Sequence, residues 1–230
     1  MCASLPREVG HVKPPALWRV ELCESAALTE RAAELLSDTE RRRADQCVPE
    51  VRRRRVLLRA ALRIALGRWL GRGPQSLQFV TEAGGKPRLD GGGAHFSVSS
   101  SGDRGLIAIT DLGPVGVDVE RLRAMDELDA IALRSFSAEA AREVLGQRAQ
   151  RKVTTFYRHW TRLEAQLKAS GEGLAAGLQR DERERGAWTV AAVDSGSGFT
   201  GAVAVGGAYG WSDFTLPARE LDLARELARA

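Results

Sequence analysis

Cysteine and histidine are both scarce, with three of each in 230 residues. The cysteines (Cys2, Cys23, Cys47) are odd in number, widely spaced and never in a CxxC pair, so neither a zinc site nor a disulfide framework is indicated. The histidines (His11, His95, His159) are too scattered for a metal triad. Any metal is therefore expected to be a hard cation held by oxygen. Long apolar runs are missing too: none approaches the roughly 20 residues that span a bilayer. The N-terminal "MCASLPREVGHVKPP" lacks the apolar core of a signal peptide, and a cytoplasmic protein without membrane contact is expected. Aromatics make up 6% and do not interleave with the arginines, and no groove-reading motif appears. Nucleic acid is not an expected partner.

What is present is uneven. The net charge is only +4, yet the stretch from Glu40 to Arg72 is crowded with arginine. Such a patch attracts phosphorylated molecules or an acidic protein, but taken alone it is better explained as a solvated helix face. Ser37 followed by Glu40 has the spacing of a capping box. From Arg52 to Leu70 the residues Val56, Leu57, Ala60, Ala61, Ile64 and Leu70 keep helical spacing, ended by Gly71 and Gly73. "ALWRVEL" (16–22), "LQFVTEAGGKPRL" and "HFSVSSSGDRGLIAITD" read as strands with turns.

The second half repeats this loosely. "VGVDVERL" is strand-like, "DELDAIALRSF" and "SAEAAREVLG" are helical, and "RKVTTFYRHWTRLEAQLKAS" is a long amphipathic helix. Its apolar side carries Val153, Phe156, Tyr157, Trp160, Leu163 and Leu167. "AWTVAAVD", "GFTGAVAVGG" and "GWSDFTL" are strand-like, and "ARELDLARELARA" is a helix or a tail. The pattern is α+β: two similar lobes, each a small antiparallel sheet with helices, meeting near residue 113. The expected division is a tail over 1–14, an N-terminal lobe over 15–113, a C-terminal lobe over 114–217 and a terminal segment over 218–230.

Three constellations carry possible chemistry. Asp118 and Glu120 lie two apart, hence on one face of a strand. Glu164 and Lys168 lie four apart, hence stacked on one helix side. Lys86 sits in the turn Gly85-Lys86-Pro87. Singly, these are explained as a solvent-facing edge, a helix pair worth about 0.2–0.5 kcal/mol and a plain turn. Together, three carboxylates beside a lysine suit Mg²⁺ that also meets a phosphate ester.

In this order and spacing the motifs resemble the long, surfactin-synthetase type of 4′-phosphopantetheinyl transferase. Its "GxDxE" is met by Gly116-Val117-Asp118-Val119-Glu120, its "FS" by Phe136-Ser137, and its "FYxxWxxxEAxxK" helix by "FYRHWTRLEAQLK" followed by "GEGL". "GKP" (85–87), "HFSVSSSG" (95–102) and the helix around Arg54 and Arg63 also correspond. The resemblance implies a pseudo-dimer with coenzyme A in the cleft between the lobes. It implies Mg²⁺ on Asp118, Glu120 and Glu164, and catalysis by Glu164 and Lys168. Coenzyme A would be contacted by Lys86, Pro87, Ser99, Ser100, Arg54 and Lys168. The implied partner is an acyl or peptidyl carrier protein, whose serine attacks the phosphorus next to pantetheine while 3′,5′-ADP leaves. A monomer is expected.

Three positions depart from the family. Its Ser-His pair falls at Ser99-Ser100, its helix lysine at Leu163 (Arg162 lies next door), and its glutamate after "FS" at Ala140, with Glu139 one place early. Serine donates a hydrogen bond but brings no positive charge. Two readings stand: a working transferase with a weakened grip on coenzyme A, or a transferase-like protein with lost or changed activity.

Overall fold

The alternating segment near the N-terminus forms strand β1 (Ala16–Glu21) in the computed structural model, which describes residues 12–81, 85–171, 187–211 and 214–229. Helix α1 (Ala26–Ala33) follows, its first turn closed by the Leu28 amide donating to Ser25 Oγ. Its short length hid it from periodicity. The capping box forms as expected at helix α2 (Asp38–Asp45): Glu40 N–H donates to Ser37 Oγ, and Ser37 N–H donates to Glu40 Oε2. Helix α3 runs Pro49–Leu70, three residues longer at its start than the apolar spacing indicates. Proline begins a helix well because its missing N–H would have no acceptor there. Gly71, at φ +65°, ends it in the left-handed conformation that glycine adopts freely.

A small hairpin, β2 (Phe79–Thr81) and β3 (Pro87–Leu89), precedes β4 (His95–Ser101) and β5 (Arg104–Thr110). Strand β6 (Val115–Arg121) opens the second half, followed by α4 (Leu128–Ser135), α5 (Ala138–Leu145) and α6 (Ala149–Ser170). Strands β7 (Trp188–Val193), β8 (Phe199–Gly206), β9 (Thr215–Leu216) and β10 (Arg219–Glu220) and helix α7 (Leu223–Leu227) complete the chain. Of "GWSDFTL", only Thr215–Leu216 is strand, and residues 212–213 lie outside the described residues, as do residues 172–174 of "GEGL" and the tail over 1–11.

The architecture is α+β. One sheet has the order β10-β1-β5-β4 and the other β6-β8-β7-β9. In each, the first antiparallel strand of its half lies beside the last, with the middle one outside. Leu17, Leu106 and Ala108 of the first sheet pack against Val115, Val117, Val119, Val203 and Val205 of the second. Beyond the first sheet, Val56, Leu57, Ala60 and Ala61 of α3 meet Val20, Ile107 and Ile109. Beyond the second, Ala165 and Ala169 of α6 meet Val190, Ala202 and Ala204. The C-terminal segment returns to the first half: β10 pairs in parallel with β1, and Leu221, Leu223 and Leu227 join the α3 core. Among the described residues no helix is long and apolar enough to cross a membrane.

Two close approaches bring the site together. A Cβ on Gly116 would stand 1.9 Å from the Ala165 carbonyl oxygen, so α6 lies directly on β6 only because residue 116 is glycine. Lys86 Nζ then donates to Lys168 O (2.7 Å) on α6 and Val115 O (2.9 Å) on β6.

Candidate active site

Strand β6 is an edge strand of its sheet, and every second N–H of such a strand points away from its neighbour. Two of those donors are met by side chains: Val117 N–H donates to Ser97 Oγ (3.1 Å) and Arg121 N–H to Ser101 Oγ (3.1 Å). Ser97, Ser99 and Ser101 project from one face of β4 because side chains alternate along a strand.

The acids meet the same row of hydroxyls. Ser99 Oγ donates to Asp118 Oδ1 at 2.8 Å, and Ser101 Oγ donates to Glu120 Oε2 at 2.6 Å. Asp118 is 3% exposed, which overturns its explanation as a solvent-facing edge residue. From α6, Lys168 Nζ reaches Asp118 Oδ1 at 2.6 Å and Ser99 Oγ at 2.9 Å. The lysine thus crosses to β6 instead of serving only as a helix-surface partner for Glu164. Glu164, half-buried on the same helix side, hydrogen-bonds to no described residue.

The electrostatics follow from burial. Desolvation holds the Asp118 carboxyl above its ordinary range, and Lys168 offsets this only in part. Glu120 is raised by burial and by Asp118. Glu164 is raised by burial, then by repulsion from Asp118 and Glu120. Three mutually repelling carboxylates therefore face one lysine ammonium.

The donor chemistry fits a hard divalent cation, because all three groups offer carboxylate oxygen. Asp118 Oδ2 is enclosed and has no hydrogen-bond partner among the described residues, a buried acceptor that a cation would satisfy. Among the described residues the acids are not drawn into a ready-made metal cluster, and Lys168 supplies the positive charge on Asp118. Glu164 and Lys168 also line a cavity of about 270 Å³ with Lys86, Pro87, Phe96 and Val98.

The sequence pattern of the family described as the 4′-phosphopantetheinyl transferase superfamily matches residues 114–205, a span that includes Asp118, Glu120, Glu164 and Lys168. The 4′-phosphopantetheinyl transferase HetI of Nostoc sp. is 35% identical over 164 residues, covering 69% of each chain. This chain belongs to the 4′-phosphopantetheinyl transferase superfamily. The 4′-phosphopantetheinyl transferase psf-1 of Bacillus pumilus is 38% identical over 105 residues (45% of this chain, 44% of the relative). The 4′-phosphopantetheinyl transferase Sfp of Bacillus subtilis is 33% identical over 103 residues (44% and 45%). The matched segments span less than half of these last two relatives.

In this superfamily member the remaining candidates are dispersed. Lys86 lines the cavity while its ammonium holds backbone carbonyls of β6 and α6. Arg54 is engaged with Glu50 (2.5 Å) and Asp103 (3.3 Å). Ser100 is exposed on the opposite face of β4 from Ser99, so the two neighbours cannot share one role. Leu163 is buried in the α6 packing stripe, and Ala140 lies in the first turn of α5, its N–H donating to Ser137 Oγ.

Residue patterns alone missed two features. Ser97 and Ser101 act with Ser99 as one row, a role their Ser-x-Ser-x-Ser spacing makes visible once the strand is known. A second cavity, about 210 Å³, lies between α2 and α3 and includes Arg43, Arg55 and Arg59, with Val98 common to both cavities. Burial lowers the Arg59 pKa, and its Nη1 has no hydrogen-bond partner among the described residues.

Proposed function

We propose that this chain transfers the 4′-phosphopantetheine group of coenzyme A to a serine of an acyl or peptidyl carrier protein, with Mg²⁺ held by Asp118, Glu120 and Glu164. The observation that carries the reading is the buried Asp118–Ser99–Lys168 cluster, with an unpartnered Asp118 oxygen, beside a cleft lined by Glu164. When bound, Mg²⁺ supplies charge neutralisation at the pyrophosphate.

The chain's own groups divide the remaining work. The carrier serine oxygen forms a bond to the phosphorus next to pantetheine, and the bond from that phosphorus to the departing 3′,5′-ADP breaks. Glu164, which lines the cleft, takes the serine proton directly or through a water between them. Lys168 brings positive charge to the pyrophosphate as ADP leaves. Phe96, Val98 and Leu167 shelter the cleft from water. Of the α3 arginines, Arg55 and Arg59, which line the second cavity with Arg43, are the ones offered to the nucleotide phosphates, while Arg54 is paired with Glu50 and Asp103 and Arg63 is buried. The matching order of the three antiparallel strands in each sheet supports the long, two-lobed form, divided at residues 113 and 114, with β10 and α7 returning to the first lobe.

The test is mass spectrometry of an apo carrier protein incubated with the chain, Mg²⁺ and coenzyme A. Gain of one phosphopantetheine unit, lost in Asp118→Asn, is expected. No gain across several acyl and peptidyl carriers would overturn transfer. Ser100 and Leu163, standing where the family carries histidine and lysine, favour the second reading in that event: a binding or accessory protein on the same fold.

A further inference from the structure

A hydroxyl between an ammonium and a carboxylate has its proton direction decided for it. Lys168 has only hydrogens to give, and an ionised Asp118 only lone pairs. Ser99 Oγ therefore donates to Asp118 Oδ1 (2.8 Å) and accepts from Lys168 Nζ (2.9 Å), while Nζ also donates to Oδ1 (2.6 Å). Among the described residues the side-chain hydrogen bonds to Asp118 thus fall on one oxygen, and Oδ2 has none. A carboxylate bonded evenly through both oxygens would have no acceptor set apart for a cation.

The other two serines of the row differ. Ser97 Oγ accepts from the Val117 backbone and touches neither acid, so it stitches β4 to β6. Ser101 Oγ bonds Glu120 Oε2 and the Arg121 backbone, and so combines both tasks. Ser99 is itself 8% exposed, with its hydroxyl fully engaged by the Asp118–Lys168 pair.

We propose that Ser99 is a positioning residue of the cation site: it saturates Oδ1 together with Lys168 and so reserves Asp118 Oδ2 for the divalent cation. This rests on the assignment of Asp118 as a cation ligand made above. It also moves Ser99 from direct contact with coenzyme A to a role one residue behind the metal.

The experiment is a titration of the full chain with Mn²⁺, followed by electron paramagnetic resonance, without and with coenzyme A. Removing a hydrogen bond that orients a metal ligand lowers affinity by about 10- to 100-fold. Ser99→Ala is expected to raise the Mn²⁺ dissociation constant by about tenfold or more, and Ser99→Thr, which keeps the hydroxyl, to restore it to within about threefold. Ser97→Ala is expected to lower the melting temperature without that loss of Mn²⁺ affinity. Wild-type affinity in Ser99→Ala, or equal weakening in Ser97→Ala, would overturn the positioning role. Should Ser99→Ala fail to fold, Ser99→Cys, with its weak donor, carries the same comparison. Absence of Mn²⁺ binding to the wild type would instead overturn the cation reading itself, so the two failures are distinct.

Discussion

Substituting Gly116 by alanine probes whether the contact between β6 and α6 assembles the site. The new Cβ would lie 1.9 Å from the Ala165 carbonyl oxygen and 2.5 Å from the Ala169 nitrogen. Ordinary packing begins near 3.5 Å, so α6 must withdraw from β6 by about 1.5 Å. The obstructing atoms are helix backbone and cannot rotate away. Overpacking costs about 1–3 kcal/mol in general, and the upper end applies here. At about 2–4 °C per kcal/mol for a chain of this size, the melting temperature should fall by roughly 6–12 °C. The same shift separates Glu164 and Lys168 from Asp118 and Glu120. A misplacement of about 1 Å costs on the order of 100-fold in turnover. Gly73→Ala is the control, since nothing lies within 4 Å of its Cβ and its φ is −62°. Thermal melts and carrier-modification rates on both variants decide the matter. If Gly116→Ala melts and turns over like Gly73→Ala, the contact does not assemble the site.

Arg63 is 1% exposed, and its guanidinium bonds Glu40 Oε2 (2.9 Å from Nε) and the carbonyls of Pro74 and Leu77 (2.8 and 3.1 Å). Arg63→Met strands these acceptors and should cost about 3–5 kcal/mol in urea unfolding, the range for breaking a buried ion pair from one side; a loss under about 1 kcal/mol would contradict this. Glu143 is held below its ordinary value of 4.5 by hydrogen bonds, first from His159 and then from Arg158. A depressed folded pKa adds stability above the unfolded value, and that stability is lost as pH falls through the folded one. Glu143→Gln should therefore be less stable than wild type at about pH 7, by less than about 1 kcal/mol because the pair is exposed, with the gap closing as pH falls below the ordinary carboxylate range. A gap that widens on acidification would refute the assignment.

The α+β class, the long helices and the motif-bearing strand were legible because each rests on local signals: apolar period, capping pairs and glycine stops. Ser37 with Glu40 and Leu70 with Gly71 are such cases. Helix α1 was not legible, since eight residues show too little periodicity to stand out from a loop. The return of β10 and α7 to the first sheet was also hidden, because which core a short amphipathic segment joins is a long-range choice.

The site divides along the same line. Asp118, Glu120, Glu164 and Lys168 were readable from spacing and resemblance, and the fold brings their elements together. Lys86 and Arg54 were readable as cations but not as partners, because a long flexible side chain takes whichever acceptor the tertiary structure offers. For Lys86 those acceptors are carbonyls on both motif-bearing elements, so it contributes to holding β6 and α6 together. The three serines of β4 look equivalent in sequence and are not. Their shared face meets an edge strand that presents amides and acids in turn, so Ser97 finds an amide, Ser99 a carboxylate and a lysine, and Ser101 a carboxylate and an amide. The period-two rule predicts that they point together; only the register against β6 assigns their separate tasks. That register also explains why Ser100 does not substitute for Ser99: one step along the strand turns its hydroxyl to the opposite face, toward the side that carries Phe96 and Val98.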